Sequence, residues 1–315
     1  MPGSSPGMTA LVTTTGHAPL PAHRRLNLHP HLQAWLLLLP ALVLLVAFTH
    51  WPIVASLWDS VHSTPRGVRP KAFVGLDNYA FMIDDPVFWQ VMWNNLLFAL
   101  GTIPASIALA LLMAVFVNGR LPARGAVRLA YFTPTVLPMV AVASIWLFFF
   151  TPQLGLLDQV RAAFGAGPHN WLGDPSTVLW CIVVMTVWKE AGFFMIFYRA
   201  ALQAIPPNLT EAAAVEGASR WYTFRRVVLP LLMPTTLFVL INATINSFKL
   251  VDQLFILTKG GPDNASSLLL YYIYETAFAF NDWAYAATLT AVLIGLLGGL
   301  ALIQFVLIER RVHYR

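Results

Sequence analysis

Near its C-terminal end the chain carries the uncharged apolar run ATLTAVLIGLLGGLALIQFVLI, at residues 287–308. A helix needs about 20 mostly apolar residues to cross the hydrocarbon core of a bilayer. This run is long enough, and it contains no charge that would be costly in lipid. The run therefore predicts a membrane-spanning helix, which sets the class of the whole fold.

Five further stretches toward the N-terminus have a similar length and apolar character. With the first run they predict an all-α, polytopic membrane protein with six transmembrane helices. The predicted spans are Trp35–Trp58, Asn95–Val117, Val127–Phe150, Thr177–Leu202, Leu231–Leu257 and Ala286–Ile308. The fourth and fifth are the least apolar, because they carry Lys189, Glu190, Lys249 and Asp252.

The composition agrees with a membrane protein. The 315 residues are 58% hydrophobic and only 10% charged, whereas soluble domains carry about 25% charged residues. Membrane orientation explains the formal net charge of +5, so no nucleic acid partner is predicted. The single cysteine, Cys181, cannot form an internal disulfide, and the histidines show no metal-ligand spacing, so no metal site is predicted.

The basic residues fall unevenly on the two sides of the six predicted spans. Twelve Lys and Arg residues lie on the side that holds both termini, and five lie on the opposite side. Cytoplasmic connections are enriched in Lys and Arg. The chain is therefore predicted to be a multi-pass protein with both termini in the cytoplasm.

Outside the spans, the sequence predicts a tail and two outer segments. Residues 1–34 are rich in Pro, Gly, Ser, Thr and His, which predicts a disordered cytoplasmic tail before a transmembrane domain at residues 35–315. The aromatic and apolar spacing of residues 59–94 predicts a short helix on the outer interface. Residues 258–285 contain a Gly-Pro turn and aromatics that also suit an interface.

The cytoplasmic connection at residues 206–234 is unusually long and contains EAAAVEGASRWYTFRRVVLPLLMP. Its residues predict a helix, a break and a second helix. Pro206 and Pro207 end the fourth span, Thr210 can cap the first helix, and Gly217 can break it. Taken alone, the pattern suits a helix that docks on a partner protein or a basic amphipathic helix that binds anionic lipid.

At this point the sequence resembles the permease subunits of ATP-binding-cassette (ABC) importers. Their EAA loop is matched by Glu211-Ala-Ala, by Gly217 and by Val227-x-Leu229-Pro230, with valine where the family usually has isoleucine. The stretches LQAIPPNLTEAA, LTKGGP and FVGLDNY are similar to the carbohydrate-uptake branch, of the maltose and glycerol-3-phosphate type. The resemblance covers nearly the whole chain from about residue 35.

The resemblance implies partners and a role for the loop. Residues 206–234 would form a cytoplasmic coupling (EAA) helix in a cleft of a separate ATPase, through Glu211, Ala212, Ala213, Gly217, Leu229 and Pro230. The implied assembly lies in the bacterial inner (plasma) membrane, in contact with lipid. It contains a second homologous permease subunit, two ATP-binding subunits and an extracytoplasmic substrate-binding protein. No cofactor is expected on this chain, because the partner subunits use the ATP.

The chain itself contains no phosphate-binding loop, since no lysine follows a glycine. Energy must come from another chain or from an ion gradient. The alternative class is an ion-coupled secondary transporter in which Glu190 or Asp252 carries a proton, although the long loop then has no role. No catalytic set is recognisable, so no enzyme activity is predicted.

Polar and aromatic residues in the fourth and fifth spans are candidates for a substrate path. Polar groups inside a membrane usually face a partner or a cavity, and a sugar requires hydroxyl partners and flat aromatic surfaces. The candidates are Trp188, Glu190, Phe194, Asn242, Asn246 and Gln253. The alternative is that the amides only bridge neighbouring spans and the aromatics only pack.

The sequence leaves the substrate class open between two alternatives, and it suggests roles for a charged pair and for a group of outer tyrosines. A sugar or related polyol is predicted, but Lys189 and Lys249 keep glycerol-3-phosphate as an alternative. Lys249 and Asp252 are three residues apart, which predicts an intrahelical pair. An aromatic belt or the border of a docking surface for the binding protein is predicted at Tyr271, Tyr272 and Tyr274.

Overall fold

A computed structural model describes residues 30–65, 67, 69–119 and 124–309. These residues are mainly helical. The described part of the chain contains no β-strand, and an isolated β-bridge joins His62 to Phe73. The predicted tail at residues 1–34 lies mostly outside the described residues, and a helix already begins at Pro30. The all-α fold class is confirmed.

The chain divides into two compact units, residues 1–52 and 53–315. The described part of the first unit consists of α1 (Pro30–Leu45), a π-helical turn at Val46–His50 and the start of α2 (Trp51–Asp59). Proline has no N–H group, so Pro52 removes one helical hydrogen bond directly after the π-helical turn.

The second unit contains the other helices. They are α3 (Asp77–Asp84), α4 (Pro86–Asn118), α5 (Arg124–Val136), α6 (Met139–Phe149), α7 (Leu156–Ala163), α8 (Val178–Ala204), α9 (Pro207–Val215), α10 (Arg220–Thr223), α11 (Leu229–Leu231), α12 (Met233–Phe248), α13 (Asp252–Leu257), α14 (Leu269–Tyr274) and α15 (Trp283–Glu309). A π-helical turn at Phe224–Val228 joins α10 to α11, and another at Glu275–Ala279 extends α14.

Four helices are individually long and apolar enough to cross a membrane: Ala34–Asp59, Pro86–Asn118, Val178–Ala204 and Trp283–Val306. The other two predicted spans belong to bent helix pairs, the first bent within the predicted span and the second at its start. Gly125–Val136 meets Met139–Phe150 at 102°, and Arg220–Leu231 meets Met233–Leu257 at 65°. The described residues thus contain four candidate spans, or six if each bent pair is one span.

The second candidate span begins earlier than predicted. Pro86 stands in the first turn of α4, and the Asp85 carboxylate caps the helix by accepting the N–H of Val87 at 2.9 Å. Asn94 in the added outer turns, and Asn95 at the predicted start, hold the loop before α14. Asn94 Nδ2 donates to Asn264 O at 2.8 Å, and Asn95 Oδ1 accepts the N–H of Leu269 at 2.6 Å.

The core of the second unit lies between α4 and α8, with α5 and α12 packed against the same pair. Two glycines permit the close approach of these helices. A Cβ atom at Gly101 would lie 3.1 Å from Val183, and one at Gly192 would clash with the carbonyl oxygen of Tyr131. The backbone of α5 therefore crosses α8 directly over Gly192.

The outer tyrosines take different positions. The Tyr272 and Tyr285 hydroxyls each donate to Asp85 Oδ2 at 2.6 Å, which ties the start of α4 to α14 and α15. Tyr271 and Tyr272 are buried, whereas Tyr274 is 42% exposed. Tyr272 is thus an internal hydrogen-bonding residue, and of the three predicted tyrosines only Tyr274 is available to an interface.

Candidate functional site

The 206–234 loop folds as a helix, a turn and a second helix. The first helix, α9, begins at Pro207 rather than at Thr210. The Thr210 hydroxyl donates backward to the Pro207 carbonyl at 2.9 Å, so it does not cap the helix. Glu211 consequently lies in the second turn of α9, where its side chain is exposed together with that of Ala212.

Gly217 closes α9 with a left-handed turn. Its φ angle is +77°, and two backbone hydrogen bonds span the turn. The N–H of Gly217 donates to Ala214 O at 3.1 Å, and that of Ala218 donates to Ala213 O at 3.0 Å. This is the Schellman arrangement, in which glycine avoids the strain of a positive φ. A Cβ atom at Gly217 would meet nothing within 4 Å, so the backbone angle alone requires glycine.

The second half of the loop presents large apolar side chains. Ser219 caps α10 by accepting the N–H of Tyr222 at 3.2 Å, and Trp221 stacks on Phe224. Trp221 is 70% exposed, and Val215 at the end of α9 is 88% exposed. Apolar groups exposed in this way commonly mark a contact with another protein or with lipid. Near the bundle, Leu229 is half-buried and Pro230 is exposed.

Three of the six candidates for the substrate path lie together. Asn246 Nδ2 donates to Glu190 Oε2 at 3.0 Å, which links α12 to α8. With Phe194 they line a narrow cleft of about 20 Å³. A cavity of this size holds one water molecule. The arrangement can therefore bind a single hydroxyl-sized group, but not a whole sugar, in this conformation.

Hydroxyl groups complete the cleft, from Thr102 and Ser106 of α4, Thr186 of α8 and Ser247 of α12. None of these residues is among those predicted from the sequence. Thr102 and Ser106 are four residues apart on one face of an apolar helix, and this spacing is the signal that could have identified them. Glu190 is the only charged residue among the ten that line the cleft.

The other three candidates do not line the cleft, although Gln253 contacts Thr186 in its wall. Trp188 packs edge-on against Trp146, with ring centroids 5.8 Å apart. Asn242 Nδ2 donates to a carbonyl one turn back in its own helix, at 2.8 Å. Gln253 is 1% exposed, and its Nε2 donates to Thr186 Oγ1 at 3.2 Å, which bridges α13 to α8.

The predicted pair of Lys249 and Asp252 is wrong. The prediction assumed one continuous helix, but α12 ends at Phe248 and α13 begins at Asp252. Both side chains are exposed. Within the described residues neither of them makes an ion pair.

Lys189 stands at the break between α5 and α6. Its Nζ donates to Leu137 O at 2.7 Å and to Pro134 O at 3.3 Å. Pro138 has no N–H group, so the Pro134 carbonyl lacks its helical donor. The Leu137 carbonyl precedes the first hydrogen bond of α6, which runs from Val142 to Pro138. The Lys189 ammonium supplies donors to both carbonyls and does not line the cleft.

We expect Lys189→Met to destabilise the folded protein by about 1–3 kcal/mol, because it leaves polar groups without a partner in an apolar environment. The measurement is the melting temperature of the purified protein in detergent. Lys189→Arg is the matched control, since it keeps a cationic donor near the two carbonyls. Equal melting temperatures for the Met variant and the wild type would contradict the assigned role.

Comparisons with a family model and with known proteins agree on one family. Residues 106–314 match the binding-protein-dependent transport system inner membrane component family. The lactose transport system permease protein of Rhizobium radiobacter is 34% identical over 279 residues, which cover 87% of this chain and 93% of that protein. The sn-glycerol-3-phosphate transport system permease protein of Yersinia enterocolitica is 32% identical over 287 residues, covering 89% and 95%.

A solved structure shares the fold. A chain in the crystal structure of a bacterial ABC transporter, involved in the import of the acidic polysaccharide alginate, has a TM-score of 0.78 and 21% identity. The match covers 89% of this chain and 96% of that chain. The family match spans the 206–234 loop and most residues of the cleft. The chain belongs to the family of inner membrane components of binding-protein-dependent transport systems, the permease subunits of ABC importers.

Proposed function

We propose that this permease carries a sugar or related polyol into the cytoplasm. The observation that carries the substrate class is the chemistry of the cleft, which combines hydroxyl groups, one amide and one carboxylate. Carboxylate and amide groups accept and donate the hydrogen bonds that sugar hydroxyls require. Relatives named for lactose and for glycerol-3-phosphate transport support this class and its alternative.

A neutral polyol fits the cleft better than glycerol-3-phosphate does. The only charge in the cleft is the carboxylate of Glu190, which repels a phosphate. The nearest candidate cation in α8, Lys189, already donates to two backbone carbonyls. We infer that Glu190, Asn246 and Phe194 contact the substrate, and that Trp188, Asn242 and Gln253 border the path or support it.

The small size of the cleft supports the participation of a second permease subunit. A space of about 20 Å³ is far below the roughly 300 Å³ of the smallest usual ligand pockets. A second homologous permease subunit would supply the opposite wall of the path. An extracytoplasmic binding protein would deliver the substrate, as the family description implies.

We place the contact with the ATPase on the 206–234 loop. Of the six predicted contact residues, α9 and its left-handed turn carry Glu211, Ala212, Ala213 and Gly217, and α11 carries Leu229 and Pro230. Two ATP-binding subunits would bind and hydrolyse the ATP, so this chain would need no cofactor of its own. The exposed apolar groups of the loop support a protein contact.

We further propose six spans with both termini in the cytoplasm, in which Gly125–Val136 with Met139–Phe150 forms the third span and Met233–Leu257 forms the fifth. In a Cys181→Ser background, a cysteine at position 159 should be labelled by an impermeant reagent from outside the cell, and one at position 211 should not. A four-span arrangement reverses both results. Position 84 is external in either arrangement and serves as the positive control.

The substrate class is tested by the ligand that the cognate binding protein retains. We expect mass spectrometry of that protein, purified without denaturation, to find a neutral sugar or polyol. A phosphorylated ligand would favour the glycerol-3-phosphate alternative. An ion-coupled carrier would need no ATPase, so failure of any ATPase to co-purify with the permease would count against the whole proposal.

A further inference from the structure

Two adjoining cavities lie where the ends of α4, α5 and α8 meet. Both are lined by Gly125, Arg128 and Arg199. The larger cavity, of about 490 Å³, is otherwise apolar and is completed by Leu129, Phe132, Met195 and Ile196. The smaller, of about 260 Å³, is completed by Val117, Asn118 and Gln203. The two arginines therefore stand between an apolar compartment and a polar one.

The two arginines come from different helices. Arg128 lies near the start of α5, and Arg199 lies five residues before the end of α8. Five residues of helix correspond to about 7.5 Å, so the Arg199 guanidinium can extend to the membrane surface. Within the described residues, neither arginine makes an ion pair or a side-chain hydrogen bond.

We propose that this pair of cavities binds one anionic phospholipid. The lipid phosphate lies between Arg128 and Arg199, whose planar guanidinium groups match phosphate oxygens. The headgroup occupies the polar cavity beside Asn118 and Gln203. The first part of an acyl chain occupies the apolar cavity against Leu129.

The apolar cavity distinguishes a lipid from a soluble anion. A free phosphate would use the arginines and the polar cavity, but it would leave the larger apolar cavity without an occupant. A neutral lipid would fill the apolar cavity without using the two charges. Only a molecule with an anionic head and an apolar tail uses both compartments, and basic residues at the membrane surface attract such lipids.

The test measures retained phosphatidylglycerol by native mass spectrometry of the full chain, purified in detergent with its co-purifying subunits. We expect the double variant Arg128→Gln/Arg199→Gln to bind phosphatidylglycerol about 25-fold more weakly, which is about 5-fold for each arginine. The matched control is Arg310→Gln/Arg311→Gln, which removes two charges from the predicted cytoplasmic side at positions outside both cavities and outside the 206–234 loop. The control should retain the lipid as the wild type does.

Further variants and a competition experiment distinguish the lipid from other possible occupants. Leu129→Gln keeps both charges but makes the apolar wall polar, so it should also weaken phosphatidylglycerol binding. The double variant Arg128→Lys/Arg199→Lys conserves the charge and should retain most of the bound phosphatidylglycerol. Displacement of the lipid by millimolar inorganic phosphate would overturn the proposal in favour of a soluble anion. The proposal would also be overturned if the cavity variant and the control variant retained equal amounts of phosphatidylglycerol, or if the wild type retained none.

Discussion

Replacing Gly217 with valine should abolish substrate uptake while leaving the permease in the membrane. The φ angle of +77° costs a residue with a Cβ atom about 1–2 kcal/mol, and more for a β-branched side chain. The strained turn would open, and α9 would no longer present Glu211 and its neighbours in one fixed direction. The measurements are uptake by intact cells and the amount of ATPase that co-purifies.

Two controls isolate the cause of this loss. Asparagine tolerates the left-handed region, so Gly217→Asn should keep more uptake than Gly217→Ala, and both should exceed valine. Gly165 has a φ of +76° and equally open surroundings, but it lies between α7 and α8. Gly165→Val therefore carries the same backbone strain and should leave ATPase binding unchanged.

Glu211→Lys tests the same surface by charge rather than by shape. Its exposed side chain lies on α9, six residues before Gly217, so the charge reversal leaves the left-handed turn intact. We expect uptake and ATPase co-purification to fall together. Normal uptake in both the Glu211→Lys and the Gly217→Val variants would remove the loop from the coupling mechanism.

The second large effect is expected for Asn246→Ala. This change removes the donor to the Glu190 carboxylate and leaves that group without a partner in the cleft. If the cleft contacts substrate, uptake should fall by an order of magnitude or more, and the preference between two related sugars should change, because an unpaired polar group discriminates by hydroxyl. The assembled complex and its basal ATPase activity should persist.

Asn242→Ala is the comparison variant, because it removes an amide from α12 without removing a donor to Glu190. Asn242 lies one turn earlier on the same helix, but its amide donates to its own backbone and not to α8. If Asn246 only joins two helices, its loss should cost about 0.6 kcal/mol of stability without altering sugar preference. Unchanged uptake and unchanged preference in the double variant would remove both residues from the substrate path.

The sequence predicted the helical segments well because their apolar length is a local property. The ends of the fourth and sixth predicted spans agree closely with α8 and α15. The second span begins nine residues before the predicted Asn95, at Pro86. Hydropathy does not detect those turns, because they carry the polar side chains of Gln90 and Asn94, which hold a distant loop.

The breaks in the third and fifth spans were not predicted. A composition window reads residues 127–150 as one run, although Pro138 divides them at 102°. Likewise, the turn between Phe248 and Asp252 separates two residues that a continuous helix would bring together. A helix break depends on whether a neighbouring helix supplies the missing donors, which a single segment of sequence does not reveal.

The candidate site was predictable in part. Adjacent ionisable residues in an apolar run pointed to Glu190, and the spacing of the two amides pointed to Asn246. Which amide reaches Glu190 depends on the rotation of α12 against α8, a tertiary property. Thr102 and Ser106 barely change the mean hydropathy of their segment, because the rest of the helix is apolar. A hydropathy average therefore does not reveal their hydroxyl groups.

Because of the helix break at Pro138, the residues tolerated at positions 138 and 189 depend on each other. If residue 138 regained an N–H group, the Pro134 carbonyl would recover its own helical donor, and one reason to keep a cation at position 189 would disappear. Conversely, a permease that lost Lys189 would gain from losing the proline. Substitutions at positions 138 and 189 should therefore show epistasis, and in the course of evolution each change should make the other one easier to accept.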